Sequence, residues 1–286
     1  MTHEHIKEYY DYYVENKSLI KTTKHFHKCG KELKRLFVNS GFKYPLDNFN
    51  SKHNLNREYF KDINTERKAY FLGFIFADGS IYERQRYQSF ESCLFINISN
   101  DDRSVIEEFA KDIEFDGKFE DRQAMTFIAP NGKEYTRKSQ CRVSISSKEF
   151  VSYLKSFGLD SRKTYLELNI PNLSKELLPH FIRGYFDGDG CISCTKSQDK
   201  YKGKIDGKIY HGHTIQFTSK KSNFLLELKD LLENEGIRSG IHHDKNRDVY
   251  ILFSNSKDSV IKFKRYLYDN SNIHFDRKKI KFDCPL

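Results

Sequence analysis

The sequence contains no tryptophan, few prolines and no long apolar run. Its 286 residues include 5 prolines and 15 glycines, which is too few for a collagen-like or low-complexity chain. The longest apolar stretch, residues 69–77, is about half as long as a membrane span. The N-terminus, MTHEHIKEYYDYY, is polar and charged, unlike a signal peptide. These absences predict a cytoplasmic protein that does not enter the membrane.

Cysteine is also scarce. The 6 cysteines are scattered along the chain, which predicts free thiols in a reducing compartment. Cys191 and Cys194 have the spacing of a metal site, and His211 and His213 follow them. However, the sequence has no second pair of this kind, and a strand here would point the two thiols to opposite faces. The sequence therefore disfavours a zinc site at this pair.

Positive charge is in excess. Lysine and arginine total 49 against 40 acidic residues, which gives a net charge of +9. Aromatic residues make up 15% of the chain, too many for a disordered protein, and the length suffices for a large folded core. A basic balance of this size favours a polyanion, such as a nucleic acid, as the partner.

Residues 1–45 predict a small helical module. Apolar residues recur there at helical spacing, and a third helix begins at Lys31 and ends at the stop signal Asn39-Ser40-Gly41. The last two helices and the short turn between them resemble a helix-turn-helix. The alternative is a module that only packs against the rest of the protein. The candidate DNA-binding residues of the last helix are Lys31, Lys34 and Arg35.

Beyond this module the chain repeats itself. KAYFLGFIFADGSI (68–81) is similar to HFIRGYFDGDGCI (180–192), and SISSKEFVSYLKSF (144–157) is similar to FSNSKDSVIKFKRY (253–266). Both offsets are roughly 110 residues, so two diverged copies of one unit account for the remainder of the chain.

Each copy, residues 65–168 and residues 169–286, has the same predicted order of elements. The hydrophobic periods predict α-β-β-α-β-β-α in both, so the fold class is α+β. Residues 46–64 are rich in asparagine and charge, with few apolar anchors, and predict a linker before the first copy. The strands of the first copy are expected at residues 80–87, 93–99, 117–129 and 134–146, with a hairpin insert at 121–140.

The first helix of each copy combines small residues with a terminal acid. Small residues four apart let two helix backbones touch, so these helices are expected to cross closely. The acids are Asp78 and Asp189, and each precedes a glycine. A carboxylate is disfavoured at a helix C-terminus, and two that meet there repel each other. The pattern therefore predicts a hard divalent cation, such as Mg²⁺, between them. The small residues are Gly73, Ala77, Gly184 and Gly188.

FLGFIFADG (71–79) and IRGYFDGDG (182–190) resemble the two motifs of a single-chain, two-repeat LAGLIDADG homing endonuclease. The resemblance covers the chain from about residue 65 to residue 286. It implies two pseudo-symmetric repeats whose curved antiparallel sheets bind DNA around a central seam of two helices. It also implies that Asp78 and Asp189 bind the catalytic metals. Asp187, the earlier acid of the second motif, is not a metal ligand in that family.

The resemblance places further site residues around the metals and on the sheets. The polar position at the end of the second strand corresponds to Asn100 and Ser219, and the basic position before the last helix corresponds to Lys148 and Lys257. Outward strand residues are expected to meet base edges or phosphates in DNA. These candidates are Arg84, Arg86, Gln140, Arg142, Gln198, Gln216 and Arg247.

Together these features predict a site-specific DNA endonuclease that uses Mg²⁺ to make a double-strand break in a long asymmetric target. The divergence of the two copies predicts a monomer on double-stranded DNA. The alternatives are an intron RNA maturase, with intron RNA as its partner, and a non-catalytic DNA-binding regulator. The intact acids of both motifs argue against either alternative as the sole function, and the termini argue against an intein.

Overall fold

The computed structural model describes residues 2–16, 18–44, 53–86, 89–201 and 204–284, with the backbone alone at residues 86, 89–90, 164, 197–201 and 204–210. The chain divides into two compact units, Met1–Asn54 and Leu55–Leu286. No helix within the described residues is both long and apolar enough to cross a membrane.

The first unit is a helical module with an aromatic core. Tyr10 stacks on Phe42 with their ring centroids 4.5 Å apart. The chain passes from the second helix to the third through His27, whose φ of 47° is left-handed. As the sequence predicts, Gly41, with φ of 75°, follows the third helix. The helices are α1 (His3–Asn16), α2 (Leu19–Phe26) and α3 (Gly30–Asn39). The buried core residues are Ile6, Tyr13, Leu33 and Phe37.

The second unit alternates long helices with antiparallel strands. Its helices are α4 (Glu66–Asp78), α5 (Arg103–Asp112), α6 (Lys148–Ser156), α7 (Leu178–Asp189), α8 (Asn223–Asn234), α9 (Lys257–Tyr268) and the short α10 (Asp276–Lys279). Its strands are β1 (Gly79–Arg86), β2 (Ser89–Ser99), β3 (Glu120–Arg122), β4 (Met125–Ile128), β5 (Glu134–Arg137), β6 (Gln140–Ser146), β7 (Cys191–Tyr201), β8 (Lys204–Ser219), β9 (Gly240–Asp244) and β10 (Val249–Ser254).

The strands confirm the internal repeat. The first copy forms a sheet of order β1-β2-β6-β3, and the second forms a sheet of order β7-β8-β10-β9, which is the same arrangement. On β2, Leu94, Ile96 and Ile98 alternate with more exposed residues and face the helices. One continuous core, with α4 and α7 among its elements, joins the two copies.

Two expectations from the sequence are wrong. The strand expected at 117–129 is broken: only β3 joins the sheet, and β4 pairs with β5 in a separate hairpin whose residues are all exposed. This hairpin lies within the insert that the sequence predicts at 121–140, so the insert is confirmed and the continuous strand is not. The expected linker, 46–64, ends in packed structure, because Tyr59 and Phe60 are buried in the core of the second unit. Residues 45–52 lie outside the described part of the chain.

Candidate active site at the ends of the two motif helices

Asp78 and Asp189 are the last residues of α4 and α7. Each is followed by a glycine at which the chain turns directly into a strand. A Cβ on Gly79 would lie 2.6 Å from the carbonyl oxygen of Ile75, and one on Gly190 would lie 2.6 Å from that of Phe186. Only glycine therefore allows the strand to start immediately after the acid, which fixes both carboxylates at the helix ends.

The two helices cross in close contact, as the small residues predict. A Cβ on Gly73 would lie 1.9 Å from the carbonyl oxygen of Phe181 on the other helix. Near the C-terminal ends, a Cβ on Gly188 would lie 2.9 Å from Oδ2 of Asp78. The carboxylate of Asp78 thus lies beside the residue that precedes Asp189, and the two helix ends converge.

Burial at the helix ends raises the pKa of both acids. Burial, followed by the charge of Asp189, raises the pKa of Asp78 to about 6. Burial also raises the pKa of Asp189. Asp189 keeps part of its side chain at the surface, yet the surrounding protein removes enough water to disfavour its charged form. Two repelling carboxylates with only oxygen donors suit a hard divalent cation, so the residues present fit the Mg²⁺ that the sequence implies.

A lysine lies against each helix end: Lys163, which is half-buried, and Lys278, which is buried. The Lys163 ammonium donates to the carbonyls of Ile75 (3.3 Å), Phe76 (2.7 Å) and Ala77 at the end of α4. Burial lowers the pKa of Lys163 to about 8, and the charges of Asp189 and Asp78 oppose that shift. The positive charge therefore offsets both the negative end of the helix dipole and the repulsion between the acids.

Lys278 occupies the matching position at the other helix. Its ammonium donates to the carbonyls of Phe186 (2.5 Å), Gly188 (3.2 Å) and Gly190 (2.6 Å). Burial lowers the pKa of Lys278 to about 8. Neighbouring Arg277 is fixed by two hydrogen bonds of 2.8 Å to Asp102, which joins the C-terminal segment to the first copy.

Sequence reasoning did not identify these two lysines. It assigned the basic role to Lys148 and Lys257, which are exposed at the first positions of α6 and α9 and are not among the main charges that shift the pKa of the two aspartates. Lys163 and Lys278 are 115 positions apart, close to the repeat offset of roughly 110 residues. That spacing is the signal that could have found them.

The two polar candidates at the strand ends lie in different surroundings. Ser219 is the last residue of β8 and shares a cavity of about 220 Å³ with Asp189 and Lys163. Its hydroxyl accepts a hydrogen bond from the backbone N–H of Lys221 at 3.2 Å. Asn100 directly follows β2, and its buried Oδ1 has no hydrogen-bond partner among the described residues.

Asp187 is structural. Its carboxylate accepts hydrogen bonds from the hydroxyls of Tyr70 (3.0 Å) and Tyr268 (2.7 Å) and from the backbone N–H of Phe275 (2.8 Å). Burial raises the pKa of Asp187 to about 6. It thus ties α7 to α4, to α9 and to the C-terminal segment, without facing the converging helix ends.

The outward face of the first sheet carries three of the predicted DNA-contacting side chains, Arg84, Gln140 and Arg142, in a polar and aromatic surface. Arg142 lies over the ring of Phe95, with its guanidinium carbon 4.1 Å from the ring centroid. Gln140 accepts a hydrogen bond from Asn97 at 3.3 Å. Arg84 is exposed on neighbouring β1. Arg86 is at the end of the same strand, but its side chain lies outside the described residues.

The second sheet differs from the first. Gln216 pairs with Cys191 on the face turned away from the core. Arg247 is not on a strand face: it lies in the turn between β9 and β10, where its Nε donates to Asp244 at 2.7 Å. The side chain of Gln198 lies outside the described residues. In the first unit, the three basic residues of α3 are exposed on one side of the helix, as expected: Lys31, Lys34 and Arg35.

Comparisons with known proteins bear on the fold. Residues 176–268 match the model of the LAGLIDADG-like domain, and no curated protein sequence is significantly similar to the chain. Among solved structures, the LAGLIDADG homing endonuclease I-SmaMI bound to cleaved DNA is 14% identical, with 77% of this chain and 87% of that chain covered and a TM-score of 0.51. I-GzeII in complex with its DNA target is 15% identical over 78% and 88%, with a TM-score of 0.48. I-DmoI in complex with DNA and Mn is 18% identical over 72% and 98%, with a TM-score of 0.46. Residues 176–268 thus match the LAGLIDADG-like domain, and the LAGLIDADG fold that the sequence implies for the chain is confirmed.

Proposed function

We propose that the chain is a site-specific DNA endonuclease that uses a hard divalent cation to cut both strands of an asymmetric target. The observation that carries the proposal is the convergence of Asp78 and Asp189 at the ends of two crossing helices, with a lysine ammonium bonded to the carbonyls of each end. Two like charges at the negative ends of two helix dipoles oppose folding stability, so a ligand is the reason to keep them.

Asp78 and Asp189 would hold the cation. When bound there, a divalent cation activates water and neutralises the charge that develops on a phosphodiester during hydrolysis. Lys163 and Lys278 fix the helix ends that carry the two acids, and their charges keep more of each carboxylate ionised at neutral pH. Each copy supplies one acid. This supports a mechanism in which each half of the site cuts one strand of the duplex.

DNA as the substrate is supported by the outward sheet faces and by the net charge of +9. Arg142, Gln140 and Arg84 offer donors to base edges or phosphates on the first sheet, whereas Gln216 is the corresponding candidate on the second. The two faces differ, and the β4–β5 hairpin has no counterpart among the described residues of the second copy. Unlike halves favour an asymmetric target and a single chain per site. The relative I-SmaMI was solved bound to cleaved DNA, which agrees with this substrate.

The test is cleavage of a library of double-stranded DNA with randomised inserts. The full chain is incubated with Mg²⁺, and new ends are captured by ligation and sequenced. We expect ends concentrated at one sequence with the unmodified chain, and none with Asp78→Asn or Asp189→Asn. Asp230→Asn, which removes an exposed acid on α8, is the matched control and should cut normally.

The same variants separate cutting from binding. Both Asp→Asn changes should leave DNA binding largely intact, because neither acid lies on an outward sheet face. Full cleavage by either variant would refute the site. Sequence-specific binding without cleavage by the unmodified chain, in Mg²⁺ and in Mn²⁺, would instead identify a non-catalytic regulator.

A further inference from the structure

The second copy contains a cluster of metal-ligating side chains that the proposed endonuclease site does not use. One ligand atom each from Cys194, His213 and Cys284 lies within 4.8 Å of the others. Cys194 is on β7 and His213 is on β8, where the two residues pair directly across the antiparallel strands. Such partners project from the same face of a sheet, so the thiol and the imidazole are side by side.

His213 is the unusual member of the cluster. It is buried, at 2% exposure, on the same side of β8 as the core residues Ile215 and Phe217. Neither of its ring nitrogens has a hydrogen-bond partner among the described residues. A buried polar group without a partner costs free energy, so folding stability alone does not favour histidine at this position. A ligand that binds one of the nitrogens would remove that cost.

The third ligand comes from the C-terminal segment. The helical turn Ile280–Asp283 packs against β7, where the Cys194 thiol donates to the carbonyl of Lys281 at 3.2 Å. Phe282 is buried in the core beside this contact. Cys284 follows directly, and its thiol is free and partly exposed.

We propose that Cys194, His213 and Cys284 form a zinc site that fastens the C-terminal segment to the sheet of the second copy. Two thiolates and one imidazole are soft and borderline donors, which suit Zn²⁺ and not Mg²⁺. Tetrahedral zinc needs donor separations of roughly 3.6–3.8 Å, so the three groups need to approach by about 1 Å at most. The fourth position is left to water.

The site has a consequence for the rest of the molecule. The segment that it fastens also carries Lys278, which caps α7, and Arg277, which binds Asp102. Zinc at Cys284 would therefore act as a structural clamp that holds Lys278 against the helix of Asp189. Its contribution to the proposed endonuclease is one of positioning, because none of the three ligands is among the groups that surround the two aspartates.

The sequence offers a matched control within the same strand. Cys191 is exposed and pairs with Gln216 on the opposite face of the sheet, so it is not part of the cluster. This arrangement also explains why the spacing of Cys191 and Cys194 is misleading. The proposed metal site contains one cysteine of that pair, Cys194, and its second cysteine, Cys284, lies 90 positions further along the chain.

The test measures metal content without DNA and without Mg²⁺. The full chain is loaded with Zn²⁺, dialysed, and assayed for zinc after denaturation. We expect about one zinc ion per chain for the unmodified protein and for Cys191→Ser, and less than about a tenth of that for Cys284→Ser and Cys194→Ser. Cys284 lies beyond the last helical turn and outside the core, so Cys284→Ser should fold normally. Loss of zinc in this variant therefore cannot be attributed to a failure to fold.

Cobalt substitution gives a second readout. Co²⁺ in place of zinc should produce thiolate-to-cobalt absorption that is present in Cys191→Ser and absent in Cys284→Ser. An unmodified chain that retains no zinc would overturn the proposal, and so would full retention in Cys284→Ser. A disulfide between Cys194 and Cys284, seen as two thiols that become titratable only after reduction, would overturn it too.

The outcome is independent of the endonuclease proposal. Asp78→Asn and Asp189→Asn should keep their zinc, because they alter a separate set of oxygen ligands. Conversely, a chain that holds zinc but never cuts DNA would support the clamp and refute the endonuclease.

Discussion

Gly184 and Tyr70 touch across the crossing of the two motif helices so closely that a Cβ on Gly184 would lie 1.9 Å from the carbonyl oxygen of Tyr70. Backbone atoms cannot move aside without separating α4 from α7. Gly184→Ala should therefore lower the free energy of unfolding by at least about 1–3 kcal/mol, and Gly184→Leu should cost more. Chemical denaturation measures the effect.

The matched control for this prediction is Gly30→Ala. A Cβ at Gly30 would approach no atom closer than 3.5 Å, and the residue begins α3. The free energy of unfolding of Gly30→Ala should therefore be nearly that of the unmodified protein. Equal effects at the two glycines would show that the close crossing is not the cause.

Lys163 and Lys278, the lysines at the two helix ends, should set the pH at which the proposed cleavage is lost on acidification, which is the acid limb of its pH profile. The charge of Lys163 lowers the pKa of Asp78, so Lys163→Met should raise that pKa and move the acid limb to higher pH. We also expect the rate to fall by about 10- to 100-fold, as when a group that orients a metal ligand is removed. The pH profile of cleavage distinguishes this role from a merely structural one.

Lys148→Met provides the comparison for Lys163→Met. Lys148 is one of the two basic residues that the family resemblance implies for the site, and it is exposed at the start of α6. Its replacement should leave the acid limb in place. If the acid limb moves in Lys148→Met and not in Lys163→Met, then Lys148 and not Lys163 is the lysine that acts on Asp78.

Asp78 should make the metal-free protein less stable as pH rises. Its pKa is about 6 in the folded chain, against 3.8 for an ordinary aspartate, so the folded state holds the proton more tightly than the unfolded state does. Stability from this group is present below pH 4 and is lost as pH rises from about 4 to about 6.

Denaturation in the presence of a chelator tests this sign. Asp78→Asn should become the more stable protein above pH 6, by about 1–3 kcal/mol, and the advantage should vanish below pH 4. Saturating Mg²⁺ should reduce the difference, because it binds only the ionised form. An advantage that is constant with pH would refute the argument.

The first unit should add phosphate contacts to DNA binding. Replacement of Lys31, Lys34 and Arg35 by glutamine should weaken binding and lower the salt slope by about one for each phosphate that is no longer neutralised. The control variant changes three exposed lysines on α1 and α2, at positions 7, 21 and 24, and removes the same charge. Similar slopes for the two variants would show that α3 has no special role.

The protein should bind its target as one chain per site. A single chain already supplies Asp78 and Asp189 to one convergent pair, so no second copy is needed to complete it. Sedimentation of the DNA complex measures the stoichiometry. Two chains per site would require the two acids to be reassigned across a dimer.

Local periodicity and the repeat were enough to predict most of the fold. The motif helices, the order of elements along each copy and the close crossing at Gly73 and Gly184 all follow from short local patterns that occur twice in the chain. The hairpin insert at 121–140 was also expected, but the pairing of β3 alone with the sheet was not, because the choice of a partner strand is made by tertiary contacts and not by composition.

The candidate site was predicted only in part, for a similar reason. Asp78 and Asp189 are marked by their own motifs, whereas Lys163 and Lys278 lie in segments without a hydrophobic period and are marked only by a spacing close to the repeat offset. Each reaches its helix end from a distant part of the chain, at separations of 86 and 88 residues from Ala77 and Gly190. The proposed zinc ligands are also separated in the sequence, and only the fold brings Cys284 to Cys194.

The hydrogen bond between Tyr70 and Asp187 joins residues 117 positions apart, and Phe275 then closes over the same junction. The face by which α4 and α7 contact each other stays exposed on both helices until both copies have been synthesised. Contacts of such long sequence separation slow folding and leave apolar helices exposed in partly folded chains. We therefore expect the newly made protein to fold slowly, after both copies have been synthesised, and we expect aggregation to be the main process that competes with folding. Dilution during refolding from denaturant should raise the yield of native protein and leave the folding rate unchanged.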